Sequence, residues 1–168
     1  MTAPAAQPNE LRVSLWIDAP TDLCWHILTQ RTAEWWCPVP WYTTIEHWEL
    51  YAGGRCSMTM HGPNGESHPS DGLFIEVIEG QRIVSTDALM RDGAGTLWPQ
   101  KPFMLGGWEV TPDKDGTLYR AWARHWTEED MASHKEMGFT KGWMACARQF
   151  QTLCEAEKSA PTTFHSPS

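Results

Sequence analysis

The sequence predicts an α+β domain in which a curved antiparallel sheet of seven strands wraps around a long C-terminal helix, with two short helices after the first strand. Three observations carry this reading. A sustained helical pattern occurs near the end of the chain, where Phe139, Trp143, Cys146, Ala147, Phe150, Leu153 and Cys154 recur at three and four. From Thr43 to Trp126 the apolar residues instead alternate at period two, cut by turn signals such as Gly53-Gly54, the GPNG run at 62–65 and the PDKDG run at 112–116. Connections of hairpin length make successive strands antiparallel neighbours.

The elements follow in order. Residues 1–10, rich in Ala, Pro and Gln, are expected to form a disordered arm, the domain to span 11–157, and 158–168 to be a disordered tail. Leu11–Ile17 alternates as a strand with one buried face. Asp18-Ala19-Pro20 is a helix entry, Thr21–Thr29 a short helix, and Thr32–Trp36 a second one that ends at Pro38 and Pro40. Six strands are then expected at Thr43–Leu50, Arg55–His61, Gly72–Ile78, Arg82–Leu89, Phe103–Thr111 and Thr117–Trp126, with a long Gly-containing loop after Leu89. Thr127 is a good N-cap, with Glu128, Glu129 and Asp130 in the first turn, where negative charge suits the helix dipole. Gly138 interrupts a short first piece before the long helix. Lys141, Arg148, Gln151, Glu155 and Lys158 form the polar face of that helix. A one-sided helix of roughly 18 residues is marginal alone in water, so it must lie on the sheet.

The totals bound the function. A chain of 168 residues, 41% of them hydrophobic, is long enough for one domain with a real core. A net charge of −8 without a Lys/Arg cluster argues against nucleic acid and anionic membrane surfaces as partners. The sequence has no apolar run of the ~20 residues a membrane span needs, and its first residues lack a signal-peptide pattern, so a cytoplasmic location is expected. Five cysteines without paired spacing read as reduced, buried thiols. With no Cys/His quartet, and with His26, His61 and His68 at no ligand spacing, no metal is expected. Eleven tryptophans are the compositional anomaly, and large amphipathic rings suit a pocket for an aromatic or lipid-like ligand. Self-association as a homodimer stays open.

Several short motifs, in this order and at these spacings, carry a resemblance. They are DAP at Asp18–Pro20, WW-P-P-W from Trp35 to Trp41, GGR at Gly53–Arg55, MHGPNG from Met60 to Gly65 and G-F-EV from Gly72 to Val77. TDA at Thr86–Ala88, PFM at Pro102–Met104 and HW-ED-H-MGF-GW from His125 to Trp143 continue the series. Over roughly residues 11–156 the chain resembles the SRPBCC superfamily, the helix-grip fold shared with START domains and the birch pollen allergen. Within it the chain looks like the bacterial group named after the activator of the heat-shock-90 chaperone ATPase. The superfamily hosts lipid carriers, hormone receptors and polyketide cyclases, so the resemblance implies a fold more firmly than a function.

The fold so implied places a cavity between sheet and long helix, and alternation along each strand selects the side chains that face it. The inward sets are Tyr119, Ala121, Ala123 and His125; Met104, Gly106, Trp108 and Val110; Ile83, Ser85 and Asp87; Cys56, Met58 and Met60; and Glu46, Trp48 and Leu50. Strand direction brings Glu46, Asp87 and His125 to one rim, with next-but-one strands ~10 Å apart. These three are the candidate acid–base residues of a polar mouth, where desolvation would raise a carboxylate pKa. Met58, Met60, Met104, Trp108 and Trp143, with Trp48, Ser85 and Tyr119, are the candidate ligand-binding residues. Each polar candidate has a structural alternative: His125 bonded to a loop carbonyl, Asp87 capping the loop that follows it, Glu46 turned to solvent by a bulge. His134 is expected as a structural contact, and Trp35, Trp36 and Trp41 either close one end of the pocket or pack the small helices on the sheet.

Two readings of function follow. One is a carrier or sensor that binds a small hydrophobic or aromatic molecule. The other is a cyclase, dehydratase or hydrolase using His125 with Asp87 or Glu46 and no cofactor, since no nucleophile motif, phosphate loop or cofactor fingerprint occurs. A chaperone-associated interaction domain is a third reading, implied by the family name.

Overall fold

The computed structural model describes residues 7–160. Residues 1–6 and 161–168, which make up most of the expected arm and tail, lie outside that span. Strand β1 (Glu10–Ile17) leads into helix α1 (Thr21–Gln30) and a single 3₁₀ turn at Thr32–Glu34. Strands β2 (Tyr42–Trp48), β3 (Arg55–His61), β4 (Ser67–Ile78) and β5 (Arg82–Thr86) follow, then the short β6 (Leu89–Arg91) and β7 (Leu97–Pro99), then β8 (Leu105–Asp113) and β9 (Gly116–Arg124). Helices α2 (Glu128–Glu136) and α3 (Phe139–Ser159) close the domain. The main sheet has seven strands in the order β1-β9-β8-β5-β4-β3-β2, every pair antiparallel. This is the α+β helix-grip architecture expected from the sequence.

Local chemistry accounts for the ends of the elements. Thr127 caps α2 by accepting a hydrogen bond from the Asp130 N–H at 3.1 Å. Gly138, at φ 96°, takes the left-handed turn that separates α2 from α3, a conformation a β-carbon would oppose. Buried Phe139, Cys146, Ala147, Phe150 and Cys154 place the apolar stripe of α3 on the sheet. Its C-terminal end is fastened to the β1–α1 turn: Lys158 Nζ bonds Asp18 Oδ1 at 2.6 Å, and the Asp18 N–H bonds Glu155 Oε1 at 3.1 Å. Lys158, expected in the tail, is therefore helical. Glu10, expected in the arm, opens β1 because its enclosed carboxylate pairs with Arg12 and Arg124.

Other expectations are corrected by non-local pairing. β4 begins five residues before Gly72, because the polar run from Ser67 pairs with β3 as far as His61. β5 stops at Thr86 rather than Leu89, and the residues assigned to a long loop contain the β6–β7 hairpin. Asp92 organises its turn, its Oδ1 accepting from the N–H groups of Ala94 and Thr96 and its Oδ2 from Trp98 Nε1. β9 ends at Arg124, where the next N–H, that of His125, donates to the Asn9 carbonyl at 3.0 Å. Among the described residues no helix is long and apolar enough to cross a membrane.

Two consecutive glycines of β8 serve opposite faces. A β-carbon on Gly107 would come within 2.2 Å of the Trp122 indole on the outer face. That ring is sandwiched there under the Arg124 guanidinium, 3.9 Å from the ring centre. A β-carbon on Gly106 would point inward and meet only the Met104 Cε, at 3.7 Å, within van der Waals range, and the Trp122 carbonyl oxygen at 4.0 Å. The inner face at that point is open.

Candidate functional site

That opening belongs to a cavity of about 430 Å³ between the sheet and the α2–α3 junction. Its floor comes from Cys56, Met58 and Met60 of β3, Ile83 and Ser85 of β5, and Gly106 and Trp108 of β8. Trp36, His134, Met137 and Trp143 cover it from the helix side, and Phe103 and Met104 bound it at the start of β8. The small side chains at positions 85 and 106 leave the volume, and the tryptophans form walls instead of a plug. Trp36 packs edge-on to Trp143 at 5.1 Å and leans on Trp108 at 4.7 Å, while Trp108 also contacts Trp35 and Trp48. Rings engaged with one another at their edges present flat apolar faces to the space between them.

The polar lining of the cavity includes Asp71, Thr86, Asp87, Gln100, Lys101 and His134, several of them committed to protein partners. Asp87 Oδ1 accepts from the N–H groups of Phe103 and Met104 at 2.9 and 3.1 Å. His134 is buried, and its Nδ1 lies 2.9 Å from Nε2 of the equally buried His125. His125 Nδ1 in turn lies 3.3 Å from the Asn9 carbonyl oxygen. The ring of His134 is enclosed by Phe103 at 4.8 Å, Phe139 at 5.1 Å and Trp143 at 6.0 Å. Burial, and after it the neighbouring imidazole, lowers the His134 pKa from 6.5 to about 4, so it is neutral at physiological pH. Burial also pushes the Cys56 thiol up to about 12, which leaves no thiolate nucleophile in the pocket. Among the described residues no group of three or more His, Cys, Asp or Glu side chains is placed to hold a metal ion.

Comparison with known proteins fits this architecture. The family of activator of Hsp90 ATPase homolog 1-like proteins matches residues 18–155. The chain belongs to that family. Among solved structures, a Nitrosomonas europaea protein of 30% identity superposes with a TM-score of 0.82, over 92% of this chain and 100% of that one. An Arthrobacter aurescens protein (21% identity, TM-score 0.73, 95% and 93% of the two chains) shares the fold. So does Ms6760 from Mycobacterium smegmatis (20%, 0.72, 89% and 92%). Among curated proteins, none matches.

In this member of the Hsp90-activator-homologue family, the expected binding residues Met58, Met60, Ser85, Met104, Trp108 and Trp143 do converge on one cavity, and Asp87 reaches its edge. The expected mouth of Glu46, Asp87 and His125 is not assembled. Glu46 is the extra residue of a β-bulge between Ile45 and His47, which turns it to the outer face, where it accepts from Thr44 Oγ1 at 3.1 Å. His125 sits behind His134, off the cavity wall, and Phe103 stands between it and Asp87, edge-on to His125 at 5.7 Å. Trp48 points inward but spends its ring on Phe74 and its Nε1–H on the Thr29 carbonyl at 2.9 Å. Phe103 and Met137 were not among the expected cavity residues, Cys56 was expected on the inward face but not among the binding residues, and His134 was expected only as a structural contact. The one usable signal for His134 was its place just past a strand–helix corner that already holds a second histidine.

Tyr119 is also corrected. It is fully buried under α3 against Trp35 and Phe150, and among the described residues its Oη is the one enclosed side-chain polar atom without a protein hydrogen-bond partner. Tyr119→Phe should therefore raise stability by about 1 kcal/mol, because the hydroxyl is desolvated without compensation. A rise in the urea midpoint checks this, and a fall of similar size would mean the hydroxyl is bonded in solution.

Proposed function

We propose that the protein binds a small hydrophobic molecule, mainly aromatic, in the cavity between sheet and C-terminal helix, and acts as a carrier or sensor. One observation supports this above the rest: about 430 Å³ stays open beneath the helix beside bordering tryptophans that pack on each other as a wall. That volume is within the range of ligand pockets, about 300–1,000 Å³, and an apolar wall with a few polar groups is their usual composition. Four methionines on the wall, Met58, Met60, Met104 and Met137, give it an adaptable surface suited to flat rings. An acid–base enzyme built on Glu46, Asp87 and His125 has less support, since one is on the outer face, one holds two backbone amides and one is screened by His134.

The test uses 2-methoxynaphthalene, an aromatic probe without a hydrogen-bond donor, titrated calorimetrically into the wild type and into Gly106→Leu. The leucine side chain would project into the cavity beyond Met104 and should weaken binding by roughly tenfold or more while leaving the fold intact, since overpacking is resisted only where atoms already meet. Equal affinity for both proteins would place the probe elsewhere on the surface, and absence of binding to the wild type would sink the cavity reading. Native mass spectrometry of the purified protein, compared with its denatured mass, then identifies the chemical class of any molecule that accompanies it.

A further inference from the structure

When each ring carries a single proton, geometry fixes the direction of the Asn9–His125–His134 chain. A carbonyl oxygen only accepts, so the 3.3 Å approach of His125 Nδ1 to the Asn9 oxygen requires the proton on Nδ1. The same oxygen accepts the His125 backbone N–H at 3.0 Å, which holds the ring in place. A neutral His125 then carries a lone pair on Nε2. The 2.9 Å contact with His134 Nδ1 can be a hydrogen bond only if His134 donates it. A neutral His134 protonated on Nδ1 keeps a lone pair on Nε2. That nitrogen has no protein hydrogen-bond partner among the described residues, and it is not among the fully enclosed unpartnered atoms, so it meets accessible space. The space that His134 lines is the cavity.

Free imidazole is biased the other way, toward the proton on Nε2, so the relay imposes the rarer tautomer. We infer that His134 Nε2 is a dedicated hydrogen-bond acceptor in the cavity wall, set by His125 and the Asn9 carbonyl, and that the ligand is an apolar aromatic carrying a neutral hydroxyl or N–H donor. This rests on the cavity-binding reading above and narrows it. Phe103, Phe139 and Trp143 surround the imidazole, so a ligand hydroxyl reaching Nε2 brings its rings against aromatic faces. An anionic ligand atom is disfavoured on Nε2 itself, because the lone pair there repels it. His125 acts here as a positioning residue, since it touches His134 and not the cavity.

Two measurements on the intact protein decide it. Long-range ¹H–¹⁵N NMR at pH 7 should find His134 protonated at Nδ1 and bare at Nε2; an Nε2–H tautomer overturns the inference. Calorimetry should give 2-naphthol roughly tenfold tighter binding than 2-methoxynaphthalene, the size of one hydrogen bond. His134→Phe should bring the ratio of the two affinities close to one. His125→Phe, which frees the His134 tautomer, should shrink the preference and change the His134 nitrogen shifts. Equal binding of both probes to the wild type overturns this inference and leaves the cavity reading standing. Binding of neither, up to their solubility, overturns both.

Discussion

Trp35→Ala should lower the stability of the protein by about 3–5 kcal/mol, the range for deleting a large aromatic from a packed core. Only 1% of Trp35 is exposed. Its ring touches Phe150 of α3 at 4.7 Å, Trp108 of β8 at 5.4 Å, Trp36 at 5.8 Å and Tyr119 of β9 at 6.1 Å, so one side chain joins helix, sheet and loop. Its Nε1–H reaches the Ile27 carbonyl at 3.3 Å, and its own carbonyl accepts from Gln149 Nε2 of α3 at 2.9 Å. The backbone of the loop would therefore stay pinned while the void opened, which limits collapse and keeps the cost at the upper end. A chain of this length should lose roughly 10 °C or more in Tm. Trp16→Ala, at a ring 37% exposed on β1, is the control and should cost under ~1 kcal/mol. If the two substitutions cost the same, the aromatic junction carries no special share of the stability. Trp36 and Trp108 lean on Trp35, so the same substitution should also blur the cavity and weaken binding of 2-methoxynaphthalene.

How far the sequence could be read depended on whether a feature was periodic. The alternation of Met104, Gly106, Trp108 and Val110 and of Tyr119, Ala121 and Ala123 states which face is inward, and the sheet register agrees, with Gly106 opposite Ala123 and Trp108 opposite Ala121. The stripe on α3 was legible for the same reason. Glu46 was not, because a bulge adds one residue without altering composition or average period. Asp87 fits both a capping and a ligand-facing role in one dimension, and its partners, the N–H groups of Phe103 and Met104, lie beyond an intervening hairpin. That hairpin escaped notice because β6 and β7 have three residues each, too few to show a period. The pairing of His125 with His134 depends on the angle at which α2 leaves β9, which no local pattern encodes.

The histidine pair gives the other large effect, on stability against pH. His134 has a folded pKa of about 4 against 6.5 for the exposed group, so between those values the unfolded chain binds more protons than the folded one. Folding is favoured fully above pH 6.5, and its free energy should fall as the pH drops, by about 2 kcal/mol at pH 5 and ~3 kcal/mol near pH 4. The carboxylates whose pKa is lowered act in the same direction but later. Glu34 and Glu76 are held down by Arg31 and Arg82, Glu49 by Tyr51, and Glu66 and Asp92 by backbone amides, and all of them start from 4.5 or 3.8. Their contribution is lost mainly below pH 4.5, which leaves the interval from 6.5 to 4.5 to the imidazole. Urea unfolding of wild type and His134→Phe across that interval should give a sloping line and a much flatter one, since phenylalanine keeps the aromatic packing with Phe103 and Phe139 and has no proton to bind. A flat wild-type line would mean that the folded protein accepts a proton on His134 as readily as the unfolded chain does, and a neutral acceptor at its Nε2 would then not hold. A slope in the wild type that His134→Phe removes ties the acid sensitivity to His134, so a ligand hydroxyl bound on Nε2, by competing with the proton, should lower the His134 pKa further and raise the urea midpoint.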